Sequence, residues 1–126
     1  MIIGIGVDLI EVARVEKVYA ARGERFVDHV LHREEMPEFK ASKQKGRLLA
    51  KRFAVKEAAT KALGTGQAQN VLLRHFYITH NEHGKPQLHA DAEAHALCDE
   101  LGINAMHVSI SDENEYATAY VVLERH

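Results

Sequence analysis

The chain has 126 residues, 46% of them hydrophobic and 27% charged, with a formal net charge of −2. This length holds one ordinary domain, residues 1–126, and the composition excludes a disordered chain. No apolar run approaches the ~20 residues that cross a bilayer, the start lacks a signal-peptide pattern, and the lone Cys98 cannot form an internal disulfide, so a cytoplasmic setting is expected. In chain order, Ile2–Ile10 reads as a strand, with Ile3, Ile5, Val7 and Leu9 on one face and Gly4, Gly6 and Asp8 on the other. Val12 to Ala21 reads as a helix that stops at Gly23 and turns Val12, Val15 and Tyr19 inward. Phe26 to Phe39 reads as short helical turns interrupted near Pro37.

The strongest helix runs from about Ser42, a candidate N-cap, to Leu63, with Gly64 as C-cap. Its small residues Ala54, Ala58, Ala59 and Ala62 permit close approach of another element. Leu72–Thr79 reads as a strand, Asn81–Gly84 as a turn, and Pro86–His89 as a short strand. Asp91 to Leu101 reads as a helix capped by Asp91 and stopped by Gly102. Met106–Ser111 and Tyr116–Leu123 read as a hairpin joined through Asp112-Glu113-Asn114-Glu115. Helices between a first strand and later meandering strands predict an α+β fold, with an antiparallel sheet packed against a long central helix.

Two carboxylates carry the chemistry. Asp8 sits in an apolar strand, where a carboxylate is costly unless it is paired, hydrogen-bonded or metal-bound. Capping of the following helix is the simpler alternative. Glu57 sits among Phe53, Ala54 and Ala58, on a stripe with Leu49, Phe53 and Lys61. A surface ion pair from Glu57 to Lys61 is the simpler reading there, worth only about 0.3 kcal/mol. The charge is uneven: residues 1–63 carry 13 Lys+Arg against 9 Asp+Glu, and residues 64–126 carry 3 against 9. Arg52, Lys56 and Lys61 belong to the basic half and lie on the helix of Glu57, where a polyphosphate could be met. Carboxylate oxygens with phosphate suit Mg²⁺. Gly64-Thr65-Gly66 is a turn that can admit a nucleotide, although neither a P-loop nor a GxGxxG fingerprint is present.

These segments resemble bacterial holo-[acyl-carrier-protein] synthases, which are 4′-phosphopantetheinyl transferases. Gly4-Ile5-Gly6-Val7-Asp8-Leu9-Ile10-Glu11 is similar to their opening strand, and Arg52 to Gly66 to their signature helix and turn. Gly84-Lys85-Pro86 and His107-Val108-Ser109-Ile110-Ser111 are similar to two later motifs. The resemblance implies transfer of 4′-phosphopantetheine from coenzyme A to a serine of apo-acyl carrier protein, with release of adenosine 3′,5′-bisphosphate, in support of fatty acid biosynthesis. It implies Asp8 and Glu57 as Mg²⁺ ligands and Lys61 as a contact to the coenzyme A phosphates. Arg52, Gly64, Thr65 and Gly66 follow as nucleotide contacts. It further implies a homotrimer with sites between subunits. Glu57, directly or through a metal-bound water, is the candidate base, and Lys61 adds positive charge at the leaving phosphate. Many relatives carry His and Thr where this chain has Asp112 and Glu113, so no histidine contact transfers to that place.

At 100° per residue, Arg14, Val18, Ala21 and Arg25 fall within about 60° of one another, with Arg22 beside them. The resemblance implies that this basic face around Val18 docks the acidic carrier protein; a solvated surface is the alternative. His29-x₂-His32 and His80-x₂-His83 lack partners for a zinc site. Cys98, Tyr116 and Tyr120 read as packing residues. Two other classes share the same residues: a Mg²⁺-dependent nucleotide pyrophosphate hydrolase and a non-catalytic nucleotide-binding regulator. Nucleic acid is disfavoured by the charge and by the absence of a stacking-aromatic motif.

Overall fold

The computed structural model describes residues 1–64 and 69–126. Five strands and five helices follow one another as β1 (Ile2–Glu11), α1 (Val12–Arg22), α2 (Glu24–Val30), α3 (Met36–Ala41), α4 (Lys45–Leu63), β2 (Phe76–His80), β3 (Pro86–Ala90), α5 (Ala92–Leu101), β4 (Ala105–Asp112) and β5 (Tyr116–Glu124). The strands form two antiparallel sheets: a three-stranded one in the order β1-β5-β4, and a ribbon of β2 and β3. The expected α+β architecture around a long central helix is what forms.

Helix α4 is buried on nearly every side and therefore shows no clean amphipathic stripe in sequence. Its first turns, through Leu48, Leu49 and Ala50, pack with Val12, Val15, Phe26, Val27, Val30 and Phe39 of the preceding helices. Its later turns, through Ala54, Val55, Ala58, Ala59 and Ala62, pack against β5, the β2–β3 ribbon and α5. The alanines keep this half of the helix thin enough for a sheet to lie on it.

Several boundaries differ from expectation. Ser42 does not cap α4: the helix starts at Lys45 behind Gln44, and the Ser42 hydroxyl accepts from the Gln44 N–H in the turn before it. Pro37 does not interrupt a helix but opens α3, where its missing N–H costs nothing. Leu73–His75 forms a 3₁₀ turn, so the strand expected from Leu72 begins only at Phe76. Gly23, at φ +57°, ends α1, and α2 starts at once on the next residue.

From Gly4 onward the alternation in β1 holds, with its polarity reversed from the obvious one; Ile3, expected on the face of Ile5, Val7 and Leu9, instead packs against the core next to a register shift between Ile2 and Gly4. The glycine face packs on α4, and Ile5, Val7 and Leu9 point outward, 57%, 52% and 65% exposed. Val7 lies opposite Tyr120 on β5, so both side chains share that outer face. Tyr116 and Tyr120, read as packing residues on one face of the last strand, share that outer face and are partly exposed there too. Cys98 is buried and packs in the core.

Candidate active site

The site begins with two missing side chains. A Cβ on Gly6 would lie 2.9 Å from the carbonyl carbon of Ala58, and a Cβ on Gly4 would stand 2.9 Å from that of Ala62. Both helical partners are backbone, so only glycine lets β1 run flat along α4. Asp8 is the next residue on the same face of the strand. It is thereby delivered beside the helical turn of Glu57 and Lys61.

Lys61 Nζ stands 3.2 Å from Asp8 Oδ1 and donates to the Val7 carbonyl at 3.1 Å. The intrahelical Glu57–Lys61 pair offered by the spacing is not among the ion pairs of the described residues; Lys61 bridges helix to strand instead. The alternative of Asp8 as a helix cap also falls, since α1 has Glu11 at its N-cap and no side-chain cap bond. Glu57 is half-buried and its carboxyl is held above the ordinary carboxylate range, first by desolvation and then by the negative charge of Asp8, with Lys61 and His29 opposing. Two carboxylates from separate elements, with the charge of Asp8 adding to the raised value of Glu57, form a donor pair that a divalent cation would relieve. No group of three or more His, Cys, Asp or Glu suited to a metal occurs among the described residues.

Arg52 lies elsewhere on the same helix. It lies five positions before Glu57, a rotation of about 140° about the axis. It lines a cavity of about 350 Å³ with Glu38, Lys51, His80, Pro86 and Asp112, a cavity that includes none of Asp8, Glu57 or Lys61. Among the described residues, this cavity does not bring Arg52 together with the carboxylate pair.

Lys56 is not a phosphate contact. It is fully buried, its Nζ lies 2.5 Å from Glu35 Oε1 and donates to the Val30 carbonyl at 2.6 Å. Burial pushes its ammonium down to about 8 against the pull of Glu35. Glu35 carries no functional signal in the sequence. It is buried and ties three elements: Oε1 also accepts from the His32 N–H, Oε2 accepts from the Ile78 N–H at 3.0 Å, and Arg52 Nε stands 3.4 Å away. Nothing in Arg33-Glu34-Glu35 marks the third residue as buried; only a lysine inside an alanine-rich helix hinted that an acid must meet it.

Gly64, at φ +76°, caps α4, its N–H shared between the carbonyls of Thr60 and Lys61. Thr65 and Gly66 lie outside the described residues. Arg14, Val18 and Arg22 are exposed on α1, and Arg25 is exposed on α2 rather than on a continuation of α1. Asp112 gains a partner that was not foreseen: Arg47 Nη1 contacts its Oδ2 at 3.0 Å and donates to the Glu113 carbonyl at 2.7 Å, and its Nη2 donates to the Asn114 carbonyl.

Comparison with known proteins matches this arrangement. The family model of the 4′-phosphopantetheinyl transferase superfamily matches residues 4–121. A holo-[acyl-carrier-protein] synthase of Vibrio cholerae is 53% identical over 125 residues, covering 99% of each chain. The crystal structure of the Neisseria meningitidis holo-[acyl-carrier-protein] synthase superposes with a TM-score of 0.92 at 37% identity, over 99% of this chain and 100% of that one. The Bacillus anthracis holo-(acyl-carrier-protein) synthase in complex with coenzyme A (3′,5′-ADP) gives a TM-score of 0.82 at 34% identity, over 100% of this chain and 99% of that one. With its glycine-backed aspartate, its Glu57–Lys61 turn and this match along almost its whole length, the chain belongs to the 4′-phosphopantetheinyl transferase superfamily.

Proposed function

We propose that the protein is a holo-[acyl-carrier-protein] synthase: it moves 4′-phosphopantetheine from coenzyme A to a serine of apo-acyl carrier protein and releases adenosine 3′,5′-bisphosphate. The observation that carries this is Lys61 bound across to Asp8 with the raised carboxyl of Glu57 alongside, in a family whose near-full-length relatives bear that name. Asp8 and Glu57 would hold Mg²⁺, which when bound neutralises pyrophosphate charge. Lys61 is more than half exposed and is released from Asp8 to meet the coenzyme A phosphates, where its charge stabilises the leaving group. Glu57, directly or through a metal-bound water, accepts the serine proton. Arg52, Gly64, Thr65 and Gly66 contact the nucleotide.

All 126 residues act as one transferase domain in the cytoplasm, and the product serves fatty acid biosynthesis. Among the described residues, no helix is long and apolar enough to cross a membrane. Three copies assemble through the outer face of the sheet. Two features support this: the outward Ile5, Val7, Leu9, Tyr116 and Tyr120, and the separation of Arg52 from the carboxylate pair within one chain, which a neighbour's surface would overcome. The basic face of Arg14, Val18, Arg22 and Arg25 receives the acidic carrier protein.

The test is incubation with apo-acyl carrier protein, coenzyme A and MgCl₂, read by intact mass. A gain of one phosphopantetheine group is expected. No gain across a range of apo-carriers, or coenzyme A turnover without any carrier, overturns the proposal in favour of no transfer or of hydrolysis.

A further inference from the structure

Arg52 is held by two carboxylates of different kinds. Glu35 is buried, engaged on both oxygens by His32, Lys56 and Ile78, and faces Arg52 Nε at 3.4 Å. It cannot leave without stranding a buried ammonium and two backbone donors. Glu38 is about half exposed and takes the outer end of the same guanidinium, at Nη2, inside the cavity of about 350 Å³. Its other oxygen lies 3.7 Å from His80 Nδ1, so a carboxylate displaced from Arg52 has a neighbour to turn to on the cavity wall. Arg52 itself is 4% exposed, and its Nε has no hydrogen-bond partner. The guanidinium is thus fixed from behind and covered in front.

We propose that Glu38 is an internal competitor for the nucleotide: it occupies the face of Arg52 that a phosphate group must take, and its displacement is a cost of binding. This rests on the reading that Arg52 contacts the nucleotide. A phosphate monoester carries up to about two negative charges and three acceptor oxygens, against one charge and two oxygens on Glu38, so it wins the exchange where a neutral hydroxyl does not. The inner and outer acids then have opposite effects. Loss of Glu38 frees the guanidinium, and loss of the Glu35 charge frees it to sag from its place.

The test is calorimetric titration of the intact protein with adenosine 3′,5′-bisphosphate. Glu38→Gln is expected to bind about fivefold more tightly than wild type, the scale of one partly exposed ion pair. A folding defect does not tighten binding, so this gain separates a competitor from a structural role. Glu35→Gln is expected to bind more weakly. In parallel, the Arg52 Hε–Nε resonance is followed by NMR during titration of the wild-type protein. If that resonance moves with nucleotide but Glu38→Gln binds equally or more weakly, the competitor is overturned and the Arg52 reading stands. If the resonance is unmoved at saturation, the Arg52 reading fails and the inference falls with it.

Discussion

Gly6 of β1 and Ala58 of α4 meet backbone to backbone, and a Cβ on Gly6 would lie 2.9 Å from the Ala58 carbonyl carbon and as close to the Ala62 nitrogen. No flexible side chain is available to yield. Gly6→Ala must lift the strand off the helix, and overpacking of this kind costs about 3 kcal/mol. Because Asp8 lies one step further along the same face, the lift also moves its carboxylate from Lys61. Urea unfolding should show a lower midpoint, and transfer should fall by more than the unfolded fraction. An unchanged midpoint would mean that the strand does not lie against the helix here.

The raised carboxyl of Glu57 makes the site a stability liability. Its folded value lies above 4.5, so the folded state holds that proton more tightly than the unfolded chain does. Its contribution is fully present below 4.5 and is lost as pH rises through the folded value. Glu57→Gln has no such loss. The variant should therefore melt higher than wild type at pH 8, with an advantage that shrinks as pH falls towards 4.5, while transfer is lost. A variant that melts lower than wild type at pH 8 contradicts an unfavourable Glu57 charge, set first by its burial and then by Asp8. Asp8→Asn should return Glu57 towards the ordinary range in an NMR titration.

The elements were legible where periodicity and caps agree. Asp91 and Gly102 bracket α5 in sequence and in structure, and the β4–β5 hairpin fell within one residue at most ends. Glu57, Lys61 and Asp8 were legible as polar residues in apolar surroundings. What could not be read was direction. Alternation placed Ile5, Val7 and Leu9 on one side of β1 but not which side faces the core, since two glycines make an equally good packing surface against a helix of alanines. Lys56 was misplaced for a related reason: all faces of α4 are buried, and only the fold discloses that Glu35 waits 21 positions back.

Lys56 and Glu35 should be costly to break singly and cheaper to replace together. Lys56→Met leaves the Glu35 carboxylate buried without its main partner, a loss of about 3–5 kcal/mol. Lys56→Met with Glu35→Leu removes both charges and should recover part of the loss, although the His32 and Ile78 N–H groups lose their acceptor and buried Arg52 loses its inner carboxylate. Denaturation of the two singles and the double gives the coupling directly. Additive losses would show that the pair is not an energetic unit.

The basic face of α1 and α2 predicts a split between substrates. Arg14, Arg22 and Arg25 are exposed, and none makes an ion pair among the described residues. Arg14→Glu should raise KM for the carrier protein by about tenfold at low salt, less at high salt, and leave KM for coenzyme A nearly unchanged. An equal rise for both substrates would point to damage of the site rather than to a docking face.

The outer face of the sheet predicts the assembly. Ile5, Val7 and Leu9 alternate with the glycine face, so all three emerge on the side away from α4, beside Tyr116 and Tyr120 of β5. A soluble monomer rarely leaves such an apolar row uncovered. Leu9, at 65% exposed, touches little of its own chain, so Leu9→Lys should leave the fold intact while placing a charge in the middle of the contact. Light scattering should give three times the 14.1 kDa chain mass for wild type and a single chain mass for the variant. Circular dichroism should match between the two. If the site is completed by a neighbour, the dissociated variant also loses transfer, and activity should return with protein concentration as the trimer re-forms. A variant that remains trimeric, or a wild type that is monomeric at micromolar concentration, removes the sheet face from the interface.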